Sequence, residues 1–234
     1  MRLQKFMAHS GVDSRRKCEE YICQGRVKVN DKIITELGTE VDPEKDKVYF
    51  DSKRIKLIIK NTYVILNKPL GYVSTVSDEK NRKTVIDLID TEKRLYPIGR
   101  LDIDTTGLLL LTDDGALAQK LTHPSNKISK TYIATVNGTP TKRGLEYLRK
   151  GATIKEYKCA PAKVKILKSF EDDSIVEIEI HEGKNHQVKN MFEKIGNPVK
   201  KLKRIKMGPI ELLDLEIGNY RYLTENEVKE LKNL

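Results

Sequence analysis

Hydrophobic positions near the start of the chain follow a helical spacing. Leu3, Phe6 and Met7 would share one helix face, Gly11 then breaks the pattern, and Ser14 is placed to cap a second helix. A glycine at position 25 is suited to end that second helix. The pattern predicts a compact helical hairpin at the start of the chain.

The next segment has the spacing of short strands. Two runs, residues 26–29 and 32–34, flank Asn30-Asp31, which is typical of two strands joined by a tight turn. A further strand-like run follows at residues 48–50. A small sheet is therefore expected beside the helical hairpin.

A change in residue composition along the chain predicts the boundary between two domains. Residues 42–62 are rich in Lys, Asp and Glu and include a proline, so the boundary is expected between about 55 and 62. We expect one small domain over residues 1–58 and a larger one over residues 62–234.

From position 63 onward, apolar runs of strand length are interspersed with helical patterns. Strands are predicted at residues 64–66, 108–112, 132–136, 164–167, 175–180 and 199–205, and helices near 84–89, 114–122, 141–150 and 185–195. Thr224 and Glu227 form a capping-box pattern that predicts a final helix. Because the elements do not alternate as in a parallel sheet, we expect an α+β fold with flanking helices on a mixed, largely antiparallel sheet.

The charge of the chain narrows the classes of partner. Its 44 Lys and Arg residues exceed its 34 Asp and Glu residues, which gives a net charge of +10 and a pI near 9.3. This excess favours a polyanion, with nucleic acid ahead of an anionic membrane surface. No apolar run approaches the roughly 20 residues that span a bilayer, and no signal-peptide pattern is present, so no membrane association is expected.

The cysteines indicate the compartment. Cys18, Cys23 and Cys159 are an odd and scattered set without the spacing of a zinc site or a disulfide framework. We therefore expect a reducing cytoplasm. A monomer is also expected.

Much of the positive charge lies in residues 184–206, where eight cationic residues face one acid, Glu193, for a net charge of +7. Such a run is often only a solvated surface. Val188, Met191 and Phe192 recur at helical spacing, however, so we expect a folded helix with a basic face that contacts phosphates.

A carboxylate stands where a buried strand is predicted to begin. Residues 99–107 read GRLDIDTTG, and four leucines follow. Such an apolar run predicts a strand buried on both faces, and a strand of that kind would hold Asp102 rigidly enough for catalysis. The same residues also fit a tight turn in which Asp102 and Asp104 bond to their own backbone, and the residues alone leave both interpretations open.

The string from residue 99 to 115 resembles the signature motif of pseudouridine synthases, specifically the RsuA/RluB branch that acts on ribosomal RNA. Three further pieces resemble the same family in the same order, NKPLG at 67–71, KTY at 130–132 and EGKNHQVK at 182–189. The first 58 residues resemble the α-L RNA-binding domain of the S-four type. Asn185 stands where the family often has an arginine or aromatic residue, and Lys189 where arginine is common.

The resemblance implies that a uridine of ribosomal RNA is isomerised to pseudouridine. It implies that Asp102 attacks the sugar or takes a proton from it, that Lys189 pairs with this carboxylate, and that Tyr132 lies against the extruded base. It also implies that Arg100 contacts the RNA backbone or orders the loop. Without the resemblance, the residues alone would be interpreted differently: Tyr132 as an ordinary aromatic residue that packs across strands, and Lys189 as one more surface cation.

The resemblance also implies an RNA-binding surface. The cations that open the second helix suit a phosphate at a helix N-terminus. The residues expected to contact RNA are Arg2, Lys5, Arg15, Arg16, Lys17, Arg26, Lys184, His186 and Gln187. A helix-turn-helix DNA reader is the alternative for the first helices, although the attached strand hairpin is atypical of it.

Other classes of function fit less well. No dinucleotide turn, P-loop or clustered metal-ligand set is present, so no cofactor and no metal are expected. The Asp102 and Asp104 pair suggests a glycosidase, and residues 127–131 suggest an aminoacyl-tRNA synthetase loop, but neither has the remaining features of its class. A non-catalytic ribosome-assembly factor with the same fold stays open. Residues 2–5 and 14–17 resemble the large-subunit enzymes of the family more closely, whereas residues 99–115 resemble the small-subunit enzymes equally well. The resemblance thus implies a uridine of the large ribosomal subunit over one of the small.

Overall fold

A computed structural model describes residues 1–58, 60–155 and 157–234. These residues divide into two compact units. The first comprises Met1–Thr62, Thr91–Leu95 and Asp113–Gly115, and the second comprises Tyr63–Asp90, Tyr96–Thr112 and Ala116–Leu234. Two short segments placed in the larger domain from the sequence thus cluster with the first unit. The division at 58 and 62 stays a prediction, and residue 59, within the expected linker, lies outside the described residues.

The N-terminal unit contains the predicted helical hairpin and small sheet. Its elements are α1 (Leu3–His9), α2 (Arg15–Cys23), β1 (Val27–Val29), β2 (Lys32–Ile34), β3 (Val48–Phe50) and β4 (Lys53–Ile55). The strands are antiparallel in the order β2-β1-β3-β4. Ser14 caps α2, as predicted, by accepting a hydrogen bond from the Lys17 backbone N–H at 3.1 Å. Leu3, Phe6 and Met7 pack with Ile22 in the core.

The chain from residue 63 onward forms the larger sheet and its helices. The strands are β5 (Tyr63–Lys68), β6 (Tyr96–Pro97), β7 (Thr106–Thr112), β8 (Lys130–Asn137), β9 (Thr153–Ile154), β10 (Tyr157–Lys158), β11 (Lys163–Ser169), β12 (Asp173–Ile180), β13 (Val199–Met207), β14 (Ile210–Glu211) and β15 (Tyr220–Tyr222). The helices are α3 (Gly115–Thr122), α4 (Lys142–Arg149), α5 (Gln187–Lys194) and α6 (Glu225–Asn233). The helix expected near 84–89 is a single 3₁₀ turn, Val85–Leu88.

The principal sheet has the order β11-β12-β8-β13-β7-β5-β15. Neighbouring strands along it are antiparallel except β13 and β7, which are parallel, so the prediction of a mixed, largely antiparallel sheet is confirmed. The four leucines of β7 are buried, as expected of a central strand. None of the helices in the described ranges has the length and hydropathy needed to cross a bilayer.

Gly107 lets the two parallel strands approach each other. Its φ is +105°, and a Cβ added there would lie 2.2 Å from the backbone oxygen of Arg204. Only glycine fits this close approach. The last residue of the GRLDIDTTG motif therefore fixes the start of β7 against β13, and with it the loop that carries Asp102.

Candidate active site

A cavity of about 580 Å³ opens on one face of the principal sheet. Its lining includes Asp102, Lys130, Tyr132, Lys189 and Arg204, all from the second unit. This volume falls within the range of pockets that hold small organic groups. The sequence motifs, which are far apart along the chain, thus meet at one site.

The loop before β7 is held from below by a buried lysine. Lys68, on β5, is fully buried, and its Nζ donates hydrogen bonds to the carbonyls of Pro69 at 3.0 Å, Asp102 at 3.0 Å and Thr105 at 2.9 Å. The Thr105 backbone N–H also donates to the Asp102 carbonyl at 3.0 Å. The residues before β7 therefore form a tight turn closed by the backbone, and Lys68 holds this turn in place, while the carboxylates of Asp102 and Asp104 bond to Lys189.

Burial changes the pKa of the Lys68 ammonium group. Its removal from water lowers its pKa to about 8, although the negative charges of Asp102 and Asp104 oppose this shift. A pKa of about 8 still leaves the ammonium group mainly protonated at neutral pH. Lys68 is a positioning residue that the sequence motif contained but that sequence reasoning gave no role.

The Asp102 carboxylate faces Lys189 of helix α5. Lys189 Nζ lies 3.1 Å from Asp102 Oδ2 and 2.5 Å from Asp104 Oδ1, and His186 Nε2 lies 3.6 Å from Asp102 Oδ1. Burial opposes the charge of Lys189, but hydrogen bonds to Asp104 and Asp102 outweigh it, so the pKa of Lys189 is raised. The hydrogen bond from Lys189 lowers the pKa of Asp104. An ammonium group therefore orients both carboxylates.

Tyr132 and two further cations line the wall formed by the sheet. Tyr132 is buried on β8 and lies in register with Arg204 of β13. Lys130 is two residues before Tyr132 and thus on the same face of the strand. Sequence reasoning assigned no function to Lys130 or Arg204. The alternation of buried Leu202 and Arg204 with exposed lysines is the period-two signal that indicates an inward-facing arginine.

Residues at the mouth of the cavity are more exposed. Arg100, Lys184 and His186 are exposed and line the cavity. Gln187 is buried, accepts a hydrogen bond from the Lys184 backbone N–H at 3.1 Å, and donates one to Glu182 at 2.8 Å. These two bonds order the loop that carries Lys184 and His186. A direct contact of Gln187 with RNA stays a prediction.

The basic segment 184–206 is not one continuous solvated face. Arg204 is buried, Lys200 pairs with Asp173, and Lys206 pairs with Glu211 at 2.6 Å. The helix predicted over 185–195 is α5 and the strand predicted over 199–205 is β13, so the segment runs from a helix into the interior of a sheet. Contact of the helix face with phosphates stays a prediction. The cations that stay exposed on it without the pairings above are Lys184, Lys194, Lys201 and Lys203.

The cations of the N-terminal unit differ in whether they form ion pairs with acidic side chains of the protein. Arg2, Lys5, Arg15 and Arg16 are exposed. The other two residues predicted to contact RNA form ion pairs within the protein. Lys17 pairs with Glu20 at 2.5 Å, and Arg26 pairs with Asp51 at 2.5 Å. The Arg26 guanidinium also lies 4.4 Å from the centroid of the Tyr21 ring. Among the described residues of the whole chain, no group of three or more His, Cys, Asp or Glu side chains is arranged to hold a metal ion.

Comparison with known proteins assigns both parts of the chain. The model of the RNA pseudouridylate synthase family matches residues 62–194, and that of the S4 domain matches residues 1–48. The chain is similar to ribosomal large subunit pseudouridine synthase B of Bacillus subtilis, at 48% identity over 100% of this chain and 96% of that protein. It is also similar to an uncharacterized RNA pseudouridine synthase of Aquifex aeolicus, at 40% identity over 99% of this chain and 93% of that protein.

A solved structure agrees in fold over nearly the whole length. It is titled as a crystal structure of pseudouridylate synthase and matches with a TM-score of 0.71 and 35% identity, covering 99% of each chain. The family model covers more than half of the present chain, and it spans the Asp102 loop, Tyr132 and Lys189. With its S4 domain, this chain belongs to the RNA pseudouridylate synthase family.

Proposed function

We propose that this pseudouridine synthase isomerises a uridine of ribosomal RNA, in the large ribosomal subunit, with Asp102 as the catalytic carboxylate. The observation that carries the proposal is the carboxylate of Asp102, held 3.1 Å from Lys189 in a cavity that Tyr132 also lines. The name of the Bacillus subtilis relative, which is 48% identical over the full chain, supports the large subunit as the source of the substrate.

Two routes fit the position of Asp102. In the first, a carboxylate oxygen forms a bond to ribose C1′ as the C1′–N1 bond breaks. In the second, the carboxylate removes the C2′ proton and a C1′–C2′ double bond forms as N1 departs. In both, the electron pair of the broken bond leaves with uracil, whose C5 then bonds to C1′. In the first route this displaces the carboxylate oxygen from C1′, and in the second the carboxylic acid returns its proton to C2′. C5 then loses its proton, and N1 becomes protonated. Atoms and electrons balance within the substrate and the carboxylate.

The other cavity residues act on binding and orientation. Tyr132 stacks on the extruded base, a contact worth about 1–3 kcal/mol, and so retains uracil while it is detached. Lys189 holds the Asp102 carboxylate in its orientation through the contact at 3.1 Å. Arg100, Lys184 and His186, which are exposed at the mouth, contact the RNA backbone around the extruded nucleotide.

The N-terminal unit supplies affinity for the RNA. Arg2, Lys5, Arg15 and Arg16 contact phosphates directly, while Lys17 and Arg26 join them by exchanging their ion pairs with Glu20 and Asp51 for phosphate. Exposed ion pairs are weak enough for this exchange. The enzyme acts as a monomer in the cytoplasm.

Unmodified ribosomal RNA provides the test. RNAs of the large and small subunits, transcribed in vitro, are incubated separately with the protein, and pseudouridine is mapped along each. We expect one dominant site in the large-subunit RNA. Modification of small-subunit RNA alone would contradict the choice of subunit. An unchanged map in both RNAs, despite tight binding, would favour the non-catalytic ribosome-assembly factor.

A further inference from the structure

Two cations in the cavity wall have no part in the reaction as described so far. Lys130 and Arg204 lie on adjacent strands and on the face of the sheet that bears Tyr132. Arg204 is 2% exposed. Cations at such depth are rarely left without a function or a partner.

Neither cation is neutralised by an acid. Arg204 Nε donates to the Leu108 carbonyl at 2.7 Å, and Lys130 Nζ donates to the Ile128 carbonyl at 2.8 Å. Within the described ranges, neither forms an ion pair, and Arg204 Nη2 is a buried donor without a hydrogen-bond acceptor. Burial, and then repulsion by Arg204, lowers the pKa of Lys130 to about 8. The two positive charges thus repel each other in the free enzyme, at a cost to its stability.

The depth of the cations indicates which part of the substrate they meet. RNA phosphates stay on the continuous strand, where exposed Arg100, Lys184 and His186 are available at the mouth. The extruded base is the part that enters the cavity, and uracil offers two carbonyl oxygens, O2 and O4, as acceptors. When the C1′–N1 bond breaks, the electron pair received by N1 is delocalised onto both oxygens.

We propose that Lys130 and Arg204 bind the O2 and O4 oxygens of the flipped uracil and stabilise the negative charge that uracil carries while it is detached from the ribose. The proposal rests on the proposed function and adds a residue-level account of the leaving group. Preorganised cations aimed at developing charge in a site that excludes water are among the strongest contributions to catalysis.

The symmetry of uracil fits two cations better than one. A half-turn about the N3–C6 axis brings C5 to the former place of N1 and exchanges O2 with O4. A pair of donors that binds both oxygens therefore meets the same arrangement of acceptors before and after the turn. The anion stays bound while the carbon that will form the new bond comes to face C1′.

The test compares leaving groups. Fluorine at C5 makes uracil more acidic, so a 5-fluorouridine substrate depends less on stabilisation of the departing anion. Single-turnover cleavage of the C1′–N1 bond is measured with RNA that carries uridine or 5-fluorouridine at the target. The variants are Lys130→Met and Arg204→Lys, with Lys203→Met, an exposed lysine of the same strand, as the matched control.

We expect Lys130→Met and Arg204→Lys to slow cleavage of the uridine RNA by about 10²-fold, the loss typical of one removed oxyanion donor. The loss should shrink by about tenfold with 5-fluorouridine RNA. RNA affinity and the Lys203→Met rates should stay within about twofold of the original protein. If Arg204→Lys does not fold, as shown by circular dichroism, Lys130→Met alone decides.

Two results would overturn the inference. One is an equal loss on both substrates, which would place the effect on a step other than departure of uracil. The other is a loss of RNA affinity with a shallower salt dependence, which would make the two cations phosphate contacts. A wild-type protein that modifies neither RNA would instead contradict the proposed function, so the two failures are distinguishable.

Discussion

The cations of the cavity and those of the N-terminal helix α2 are the same kinds of residue in opposite surroundings. Lys68 and Arg204 are buried and held by backbone carbonyls, and Lys189 is clamped between two carboxylates. Arg15 and Arg16 project into solvent. Because they are buried, the cations of the first group hold the catalytic loop and act on the reacting groups. The exposed arginines of the second group attract RNA phosphates in general.

Magnitudes support this division. Two unit charges 4 Å apart interact by about 1 kcal/mol in water but by about 4 kcal/mol at an effective dielectric of 20 near a protein surface. Physiological salt screens exposed charges beyond about 8 Å and affects buried pairs much less. We therefore expect substitutions in the cavity to change the rate of the reaction, and substitutions on α2 to change RNA affinity and its salt dependence.

The largest effect in this comparison is expected at Lys189. Lys189→Met removes the ammonium group that orients Asp102, so the single-turnover rate should fall by about 10²- to 10³-fold, as when one electrostatic contact to a reacting group is lost. RNA affinity should change little. Lys194→Met, on the exposed side of the same helix, is the control. Near-normal turnover of the Lys189→Met protein would show that the ion pair is dispensable.

A slightly smaller effect is expected at Lys68. Lys68→Met leaves the carbonyls of Pro69, Asp102 and Thr105 without their donor, so the catalytic loop should loosen. We expect kcat to fall by about 10²-fold with KM nearly unchanged, because the loss is one of position.

The free energy of unfolding of Lys68→Met should also fall, by about 2 kcal/mol. Denaturant titration measures this change, and Lys165→Met, an exposed strand lysine, serves as the reference. A rise in KM without a change in kcat would indicate that Lys68 supports RNA binding and not the loop.

A smaller effect, of a different kind, is expected on α2. Replacing Arg15 and Arg16 together by Gln should weaken RNA binding by about tenfold and reduce the slope of log K against log salt by about 1 to 2. The rate at saturating RNA should not change. Lys142 and Arg143 form the matched control, because they also open a helix behind a capping hydroxyl, that of Thr141, but belong to the second unit. Equal losses in both double variants would mean that the α2 cations have no special part in binding.

The smallest effect concerns a surface pair. A hydrogen bond from Arg221 lowers the pKa of Glu227 to about 2, below its usual value of 4.5. Because the folded state then binds fewer protons than the unfolded state, this stabilisation is present above about pH 4.5 and is lost as the pH falls towards 2. Glu227→Gln should lower the free energy of unfolding by about 1 kcal/mol at pH 7 and by about half of that or less at pH 3. Denaturant titrations at the two pH values measure the difference, and a penalty independent of pH would contradict the assignment.

The two regions also differ in how far the sequence could predict them. Leu3, Phe6 and Ser14 predicted the helical hairpin because helix periodicity and capping are local properties. The leucines of β7 predicted a buried strand for the same reason. The two-residue strands β6 and β14 were missed because two residues carry no period and form a strand only through pairing with a neighbour.

Prediction of the cavity from the sequence required contacts between residues that are far apart along the chain. Lys189 and Asp102 are 87 positions apart, so their pairing came from the resemblance and not from spacing. The roles of Lys68 and Arg204 could not be predicted because Lys and Arg are expected at surfaces, and only the assembled sheet shows that these two are enclosed. The hydrogen bonds that join the Gln187 amide to Glu182 and Lys184 could not be predicted either, because no local pattern reveals them.

The most direct test of the account compares Asp102→Asn with Asp104→Asn in single-turnover assays on the unmodified target RNA. Both carboxylates contact Lys189, but only Asp102 is proposed to react with the ribose. We expect Asp102→Asn to bind RNA normally and to form no pseudouridine, and Asp104→Asn to stay within about tenfold of the original rate, as expected for a group that orients another. Pseudouridine formed at the original rate by Asp102→Asn would contradict this expectation.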